Sequence, residues 1–182
     1  MQKKIIKTAL LAVCMAYLGA PAWAQSSTTT KAGDVLAIVV PAAAYGMTFT
    51  KGDEEGRTEF YKSFATTIAI TQGLKHTTNE KRPNGGTNSF PSGHTSGAFQ
   101  GAAFIHARYG FEAALPAYVA STFVGYSRVD GKYHYTHDVL AGAAIGIATS
   151  MYFTKQQFGG KTAVIAPFFA PKQIGLFYAQ AL

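Results

Sequence analysis

With 182 residues, a formal charge of +7 and a single cysteine, Cys14, the chain has room for one compact domain but not for two plus a linker. Its basic residues form no long Lys/Arg run and no stripe interleaved with aromatics. That speaks against nucleic acid as a partner and leaves an anionic substrate or an anionic membrane surface.

The first 24 residues read as a secretory leader: Lys3, Lys4 and Lys7 make a basic start, Thr8 to Gly19 an apolar stretch, and Ala22-Trp23-Ala24 a cleavage motif before Gln25. An uncleaved anchor helix is the alternative, but the apolar stretch is short for a bilayer span. The expected location is outside the cytoplasm, in the periplasm or at the periplasmic face of a bacterial membrane. Cys14 lies within the leader, which leaves the mature chain without a disulfide, and bulky Val13 beside it argues against a lipoprotein signal. Taking the three leader lysines from +7 leaves +4, a mildly basic protein.

Residues 25–33 (QSSTTTKAG) are small and polar and read as a flexible segment. Ala-rich apolar stretches follow, too long for strands and punctuated by Gly, Pro or charge. They place helices at 34–49, 59–75, 93–109, 112–127 and 137–155. The expected fold is all-α, a bundle of five to six helices over 25–158 with the active site at one end. Residues 159–182 form an apolar C-terminal tail, read as a short hairpin or extended strap packing on the bundle.

The apolar cores of these helices run to about 15 residues where a span needs about 20, and polar Gln72, Gln100, His106 and Arg108 interrupt them. A soluble or peripheral bundle is therefore favoured over an integral one, with 34–49 able to lie on or dip into a bilayer. Gly97-x-x-x-Gly101 and Gly142-x-x-x-Gly146 put small residues one turn apart, which allows close helix packing and brings two histidine-bearing loops together.

Three clusters carry the chemistry. In the second, Pro91-Ser92-Gly93-His94 precedes a helical run, so the N–H groups around Ser92 and Gly93 sit at a helix start, which attracts anions. His94 at the rim can hand a proton to a departing oxygen. Taken alone, this tetrapeptide could equally be a capped helix start with a surface histidine. In the third, His134 and Asp138 are four apart and share a helix face, so the carboxylate can hold one ring nitrogen and leave the other as a nucleophile. Asp138 could instead be a helix N-cap. Lys75, Arg82 and Arg128 are the cations suited to grip phosphoryl oxygens. A zinc set drawn from His94, His134, His137 and Asp138 is conceivable, but three converging cations make more sense where no divalent ion neutralises the phosphate. No metal and no cofactor are expected, and His76, His106 and His137 read as ordinary surface or packed residues.

The order Lys75, six residues, Arg82-Pro83, then Pro91-Ser92-Gly93-His94, then Ser127-Arg128, five residues, His134, three residues, Asp138 resembles the type 2 phosphatidic acid phosphatase superfamily. That superfamily also holds class A acid phosphatases and vanadium haloperoxidases. The resemblance spans about residues 59–155 and implies a helical bundle with the three motifs meeting at one end. It implies His134 as the residue that forms a phosphohistidine, Asp138 as its assistant and His94 as general acid. Lys75, Arg82, Ser92, Gly93 and Arg128 would bind phosphate.

The resulting expectation is a metal-independent phosphatase of monoesters or diphosphates, acting on a phosphorylated lipid such as a phosphatidate, an isoprenyl diphosphate or a lipid A type. A small phosphoester taken by a broad-specificity soluble acid phosphatase is the neighbouring possibility, as is transfer to a second lipid headgroup. Haloperoxidases are usually much longer. A non-catalytic envelope module that binds phosphate or lipid would have no need of a nucleophile and an acid.

Overall fold

The computed structural model describes residues 28–156, together with the backbone of 163–170 and 173–180. Five helices come first: α1 (Thr28–Thr50), α2 (Glu54–Thr78), α3 (Gly93–Tyr109), α4 (Phe111–Asp130) and α5 (Thr136–Phe153). Strands β1 (Ala163–Ala170) and β2 (Gln173–Gln180) follow and pair antiparallel, with Ala163 opposite Gln180 and Ala170 opposite Gln173. The all-α expectation holds for the bundle, and the tail takes the hairpin form of the two that its sequence allowed. The leader lies outside the described residues.

Helix α3 is the axis of the bundle. From Thr95 to His106 every residue is buried, and α1, α2, α4 and α5 all pack against it. Its lack of an apolar stripe follows from that position, since a helix covered on all sides has no polar face to turn outwards. Phe99, Phe104 and Ile105 join Val40, Phe60, Phe64, Tyr118 and Ile147 in the core. The polar residues of the interior bond to one another. Gln100 Nε2 donates to Ser63 Oγ (2.9 Å), Thr71 Oγ1 to Ser96 Oγ (3.1 Å), Ser150 Oγ to the Gln100 carbonyl (2.8 Å), and Thr67 and Thr149 share a hydroxyl contact of 2.6 Å. Such pairs offset the desolvation that burial imposes on each group and fix the register of α2, α3 and α5.

Glycines set the closest approaches. A Cβ on Gly146 of α5 would lie 2.3 Å from the Ser96 carbonyl and 2.6 Å from the Gln100 nitrogen of α3, and one on Gly142 would lie 2.5 Å from the Ser92 carbonyl. These contacts bring the starts of α3 and α5 together, and with them His94 and His134. Gly101 does a different job from the one its spacing suggested, because it packs against Pro41 of α1.

Two helix starts differ most from the sequence reading. Residues 28–33 are helical rather than a flexible segment, because α1 begins at Thr28 and lays its first turns against the end of α4. A Cβ on Gly33 would come within 1.9 Å of Ser127 Oγ. Helix α2 starts at Glu54, earlier than expected, because Asp53 caps it by accepting the Gly56 N–H at 2.8 Å. Asp53 also anchors Arg108 at the end of α3: Arg108 Nε and Nη2 donate to its two oxygens at 2.8 and 2.7 Å, while Nη1 reaches Glu59 at 3.2 Å and the Lys155 carbonyl at 2.8 Å. Arg108, expected as a polar interruption, is in fact a buried ionic clamp.

Candidate active site

The chemistry-bearing residues come from four places. Lys75 is on the last turn of α2, Arg82 and Ser89 on the loop to α3, His94 in the first turn of α3, and Arg128, His134 and Asp138 around the α4–α5 corner. Short-range bonds shape both connections. In the first loop Arg82 N–H donates to the Gly86 carbonyl (2.7 Å), Gly85 N–H returns to Arg82 O (2.9 Å) at a φ of +86° that suits glycine, and Ser89 N–H donates to Glu80 O (2.8 Å). Lys75 Nζ donates to the Asn88 and Ser89 carbonyls at 2.9 and 3.3 Å. At the corner, Arg128 O accepts both Tyr133 N–H (3.0 Å) and His134 N–H (3.2 Å), so the five residues between Arg128 and His134 form one tight turn.

His134 and Asp138 meet as their spacing predicts: Nδ1 lies 3.1 Å from Asp138 Oδ2, with both side chains buried. Oδ2 also accepts the Tyr135 N–H at 3.0 Å and the Ser89 hydroxyl. Burial alone would raise the Asp138 carboxyl, but the bonds from His134, Ser89 and Tyr135 outweigh it and hold the group below the ordinary carboxylate range. An ionised Asp138 fixes the proton of His134 on Nδ1 and leaves Nε2 with a lone pair. Burial is the first cause that pulls His134 below the ordinary imidazole range, with Lys75 and Arg82 adding to it against Asp138. The N-cap of α5 is Tyr135, so Asp138 stands in the third helical position and returns to the cap through its backbone N–H.

Ser92 caps α3, and its N–H is not turned to an anion: it donates to the Asp138 carbonyl at 3.0 Å and ties the two helix starts together. Its hydroxyl shares a 2.9 Å bond with Thr95 Oγ1. The Ser96 N–H donates to the Ser92 carbonyl at 3.0 Å and closes the first turn of α3.

Arg128 is 3 % exposed and held on three sides. Nε donates to Ser127 Oγ (3.1 Å), Nη2 to the Thr30 carbonyl (2.8 Å) and Nη1 to Asp34 Oδ1 (2.6 Å). Asp34 Oδ1 also lies 3.4 Å from His94 Nε2. His94 is held well below the ordinary imidazole range by burial first, then by Arg128, His134 and Arg82, with Asp34 acting against them. Lys75 is brought down to about 8, by burial first and then by Arg82, with Asp138 opposing. Burial likewise lowers Arg82, which feels Asp138, Tyr133 and Arg128. Those mutual influences place the three cations, two histidines and Asp138 in one electrostatic neighbourhood.

Three residues escaped the sequence reading. Ser89 lies in a polar loop and carries no motif. Asp34 comes from a helix about 94 positions away in sequence from Arg128. His137, read as an ordinary surface residue, bonds Glu80 Oε1 through Nε2 at 3.0 Å, and the same nitrogen lies 3.1 Å from Asp138 Oδ1. Among the described residues, Glu80, His137 and Asp138 form a group that could offer ligand atoms to a metal ion, all within 4.8 Å of one another. His137 is hydrogen-bonded to Glu80 there, while the buried Asp138 Oδ1 has no hydrogen-bond partner among the described residues.

A helical bundle with its cations and two carboxylate-paired histidines gathered at one end is the class that fold and site define. Residues 58–161 match the family model described as the PAP2 superfamily, and the chain belongs to that superfamily. It is 35% identical over 105 residues to the lipid A 1-phosphatase of Porphyromonas gingivalis, covering 53% of this chain and 24% of that protein. It is 36% identical over 66 residues to the lipid A 4'-phosphatase of Helicobacter pylori (36% of this chain, 33% of the relative) and 36% identical over 88 residues to lipid phosphate phosphatase 2 of Arabidopsis thaliana (40% and 30%). The matched stretches thus span about a quarter to a third of these relatives. The crystal structure of Aquifex aeolicus LpxE shares the fold, with a TM-score of 0.53 at 21% identity, covering 65% of this chain and 83% of that one.

Proposed function

We propose that the protein is a metal-independent phosphatase of lipid phosphates that works through a phosphohistidine. The observation that carries this reading is the buried His134–Asp138 pair, 3.1 Å apart, in the field of Lys75 and Arg82, with His94 in the field of Arg128. His134 Nε2 attacks phosphorus in line and a P–N bond forms as the P–O bond to the leaving group breaks. His94 gives its proton to the departing oxygen. Water then attacks the phosphohistidine, His94 takes its proton, the P–N bond breaks and phosphate is released. Lys75, Arg82 and Arg128 neutralise the phosphoryl oxygens, the task a divalent ion performs elsewhere, while Gly93 and Ser92 at the start of α3 set the backbone against which phosphate is held. His94 lacks a proton in the field described above, and the dianionic substrate itself raises its affinity for one.

A lipid as the bearer of the phosphate is supported by the names of the relatives and by the surface. Among the described residues α1 is the one helix long and apolar enough to cross a membrane, and it exposes Val35, Ile38, Val39 and Phe49. Helix α4, packed beside it, exposes Leu115, Val119 and Tyr126. We place the protein at the periplasmic face of a bacterial membrane, with these side chains against the lipid.

The test is phosphate release in the presence of chelator from phosphatidate, an isoprenyl diphosphate, lipid A and p-nitrophenyl phosphate, each with wild type and His134→Ala. Turnover of the lipids that vanishes in His134→Ala is expected. Activity that survives in His134→Ala, or that chelator abolishes, would sink the reading.

A further inference from the structure

Asp34 reaches the site from α1, and its Oδ1 lies 2.6 Å from Arg128 Nη1 and 3.4 Å from His94 Nε2. Arg128 is a group assigned above to the phosphoryl oxygens and His94 the group assigned to the leaving oxygen. A carboxylate oxygen that meets both therefore stands where an oxygen of the substrate has to stand. The backbone that carries it is fixed: Thr30 O accepts Arg128 Nη2 at 2.8 Å, and a Cβ on Gly33 would lie 2.9 Å from that nitrogen. The side chain of Asp34 is freer, being 48 % exposed, so it has a path to solvent that Arg128 lacks.

We propose that Asp34 is a built-in competitor for phosphate: its carboxylate takes an oxyanion position between Arg128 and His94, and a substrate must displace it. The roles of Arg128 and His94, and what Asp34 selects between, rest on the phosphatase reading; the competition for phosphate is read by binding alone. A free phosphate has only its own charge to set against the Asp34–Arg128 contact. An ester with an apolar group has more, because Val35, Ile38 and Val39 are exposed along the same helix within about a turn of Asp34. Burying part of such a group against α1 adds binding that a small anion cannot match. Asp34 thereby disfavours inorganic phosphate and small water-soluble esters and leaves lipid phosphates as the substrates able to open the site.

The experiment titrates the full-length protein with inorganic phosphate by calorimetry in wild type, Asp34→Asn and Asp34→Ala, with thermal melting of each. It then measures kcat/KM for phosphatidate and for p-nitrophenyl phosphate. Removing one like charge from beside an anion site, discounted for partial exposure, tightens phosphate binding about tenfold in both variants. The ratio of lipid to soluble-ester kcat/KM falls with it. Phosphate binding that is unchanged or weaker in the folded variants overturns the proposal, because Asp34 would then be holding Arg128 in place for the substrate. Failure of both variants to fold overturns it too, by making Asp34 structural, and absence of phosphate binding to all three proteins removes both the competitor and the catalytic reading. Tighter binding in the variants with no ester turned over by wild type leaves the competitor standing and fails the phosphatase reading alone.

Discussion

Replacing Ser89 by alanine isolates a single contact to the carboxylate behind the nucleophile. Ser89 and Asp138 are both fully buried, and the Ser89 hydroxyl donates to the same Asp138 oxygen that receives His134 Nδ1 at 3.1 Å and the Tyr135 N–H at 3.0 Å. A hydrogen bond to a charged group contributes about 1.5–3 kcal/mol, and with two donors still on Oδ2 the lower end applies, so Ser89→Ala loses about 1.5 kcal/mol near neutral pH. The pH dependence separates this cause from packing. The folded chain holds the Asp138 carboxyl below its ordinary value, so the stability it contributes is present above the unfolded pKa and is lost as pH falls through the folded one. Ser89→Ala weakens the pull on the ionised form and moves the folded carboxyl back towards its ordinary value. The gap between variant and wild type is then full at neutral pH and closes as pH falls through the lowered folded value of Asp138. Urea denaturation followed by circular dichroism at several pH values from about 7 to about 3 reads this directly. A gap that stays constant over that range would refute the reasoning and assign Ser89 to packing alone.

Three further outcomes follow from the same geometry. Lys75 is charged only below about 8, so kcat/KM for a lipid phosphate should fall about tenfold per pH unit above that point, and a rate profile of Lys75→Met lacking this limb checks the assignment. The same lowered value means that the unfolded chain binds more protons between about 8 and the ordinary lysine value of 10.5, so the contribution of Lys75 to stability rises with pH across that window. Gly146→Ala places a methyl 2.3 Å from the Ser96 carbonyl and must spread α3 from α5, at a cost of about 1–3 kcal/mol, read as a fall in Tm. Arg108→Met strands Asp53 and Glu59 in the interior and costs about 3–5 kcal/mol at neutral pH. Asp53 is held at about 2 by the bonds from Arg108, so its stabilisation of wild type is present above the ordinary 3.8 and lost as pH falls towards 2. Denaturation of the two proteins should converge over that window.

Local signals account for what could be read without coordinates. The helix at 93–109 was placed to the residue, because Ser92-Gly93 opens it, Gly110 closes it and apolar residues fill it between. The four-residue step from His134 to Asp138 fixed their contact, since a helical turn puts such positions side by side. The start of α1 was misread for a related reason: Thr28–Gly33 looks like linker because small polar residues favour turns, and what holds it helical is its seat on Ser127 and Arg128, residues from the far end of α4.

The sequence by itself determined the motif residues, their spacing and the helices that carry them, because each depends on neighbours within a turn or two. Only the tertiary structure decided which groups face one another across helices: Ser89 on Asp138, His137 between Glu80 and Asp138, and Asp34 between Arg128 and His94. Ser89 and Asp138, Glu80 and His137, and Asp34 and Arg128 lie 49, 57 and 94 positions apart, and no local periodicity connects them. They meet because α3 is buried on every side and glycines let α5 and α1 close against it, so that contacts made along whole helices set the geometry at their ends.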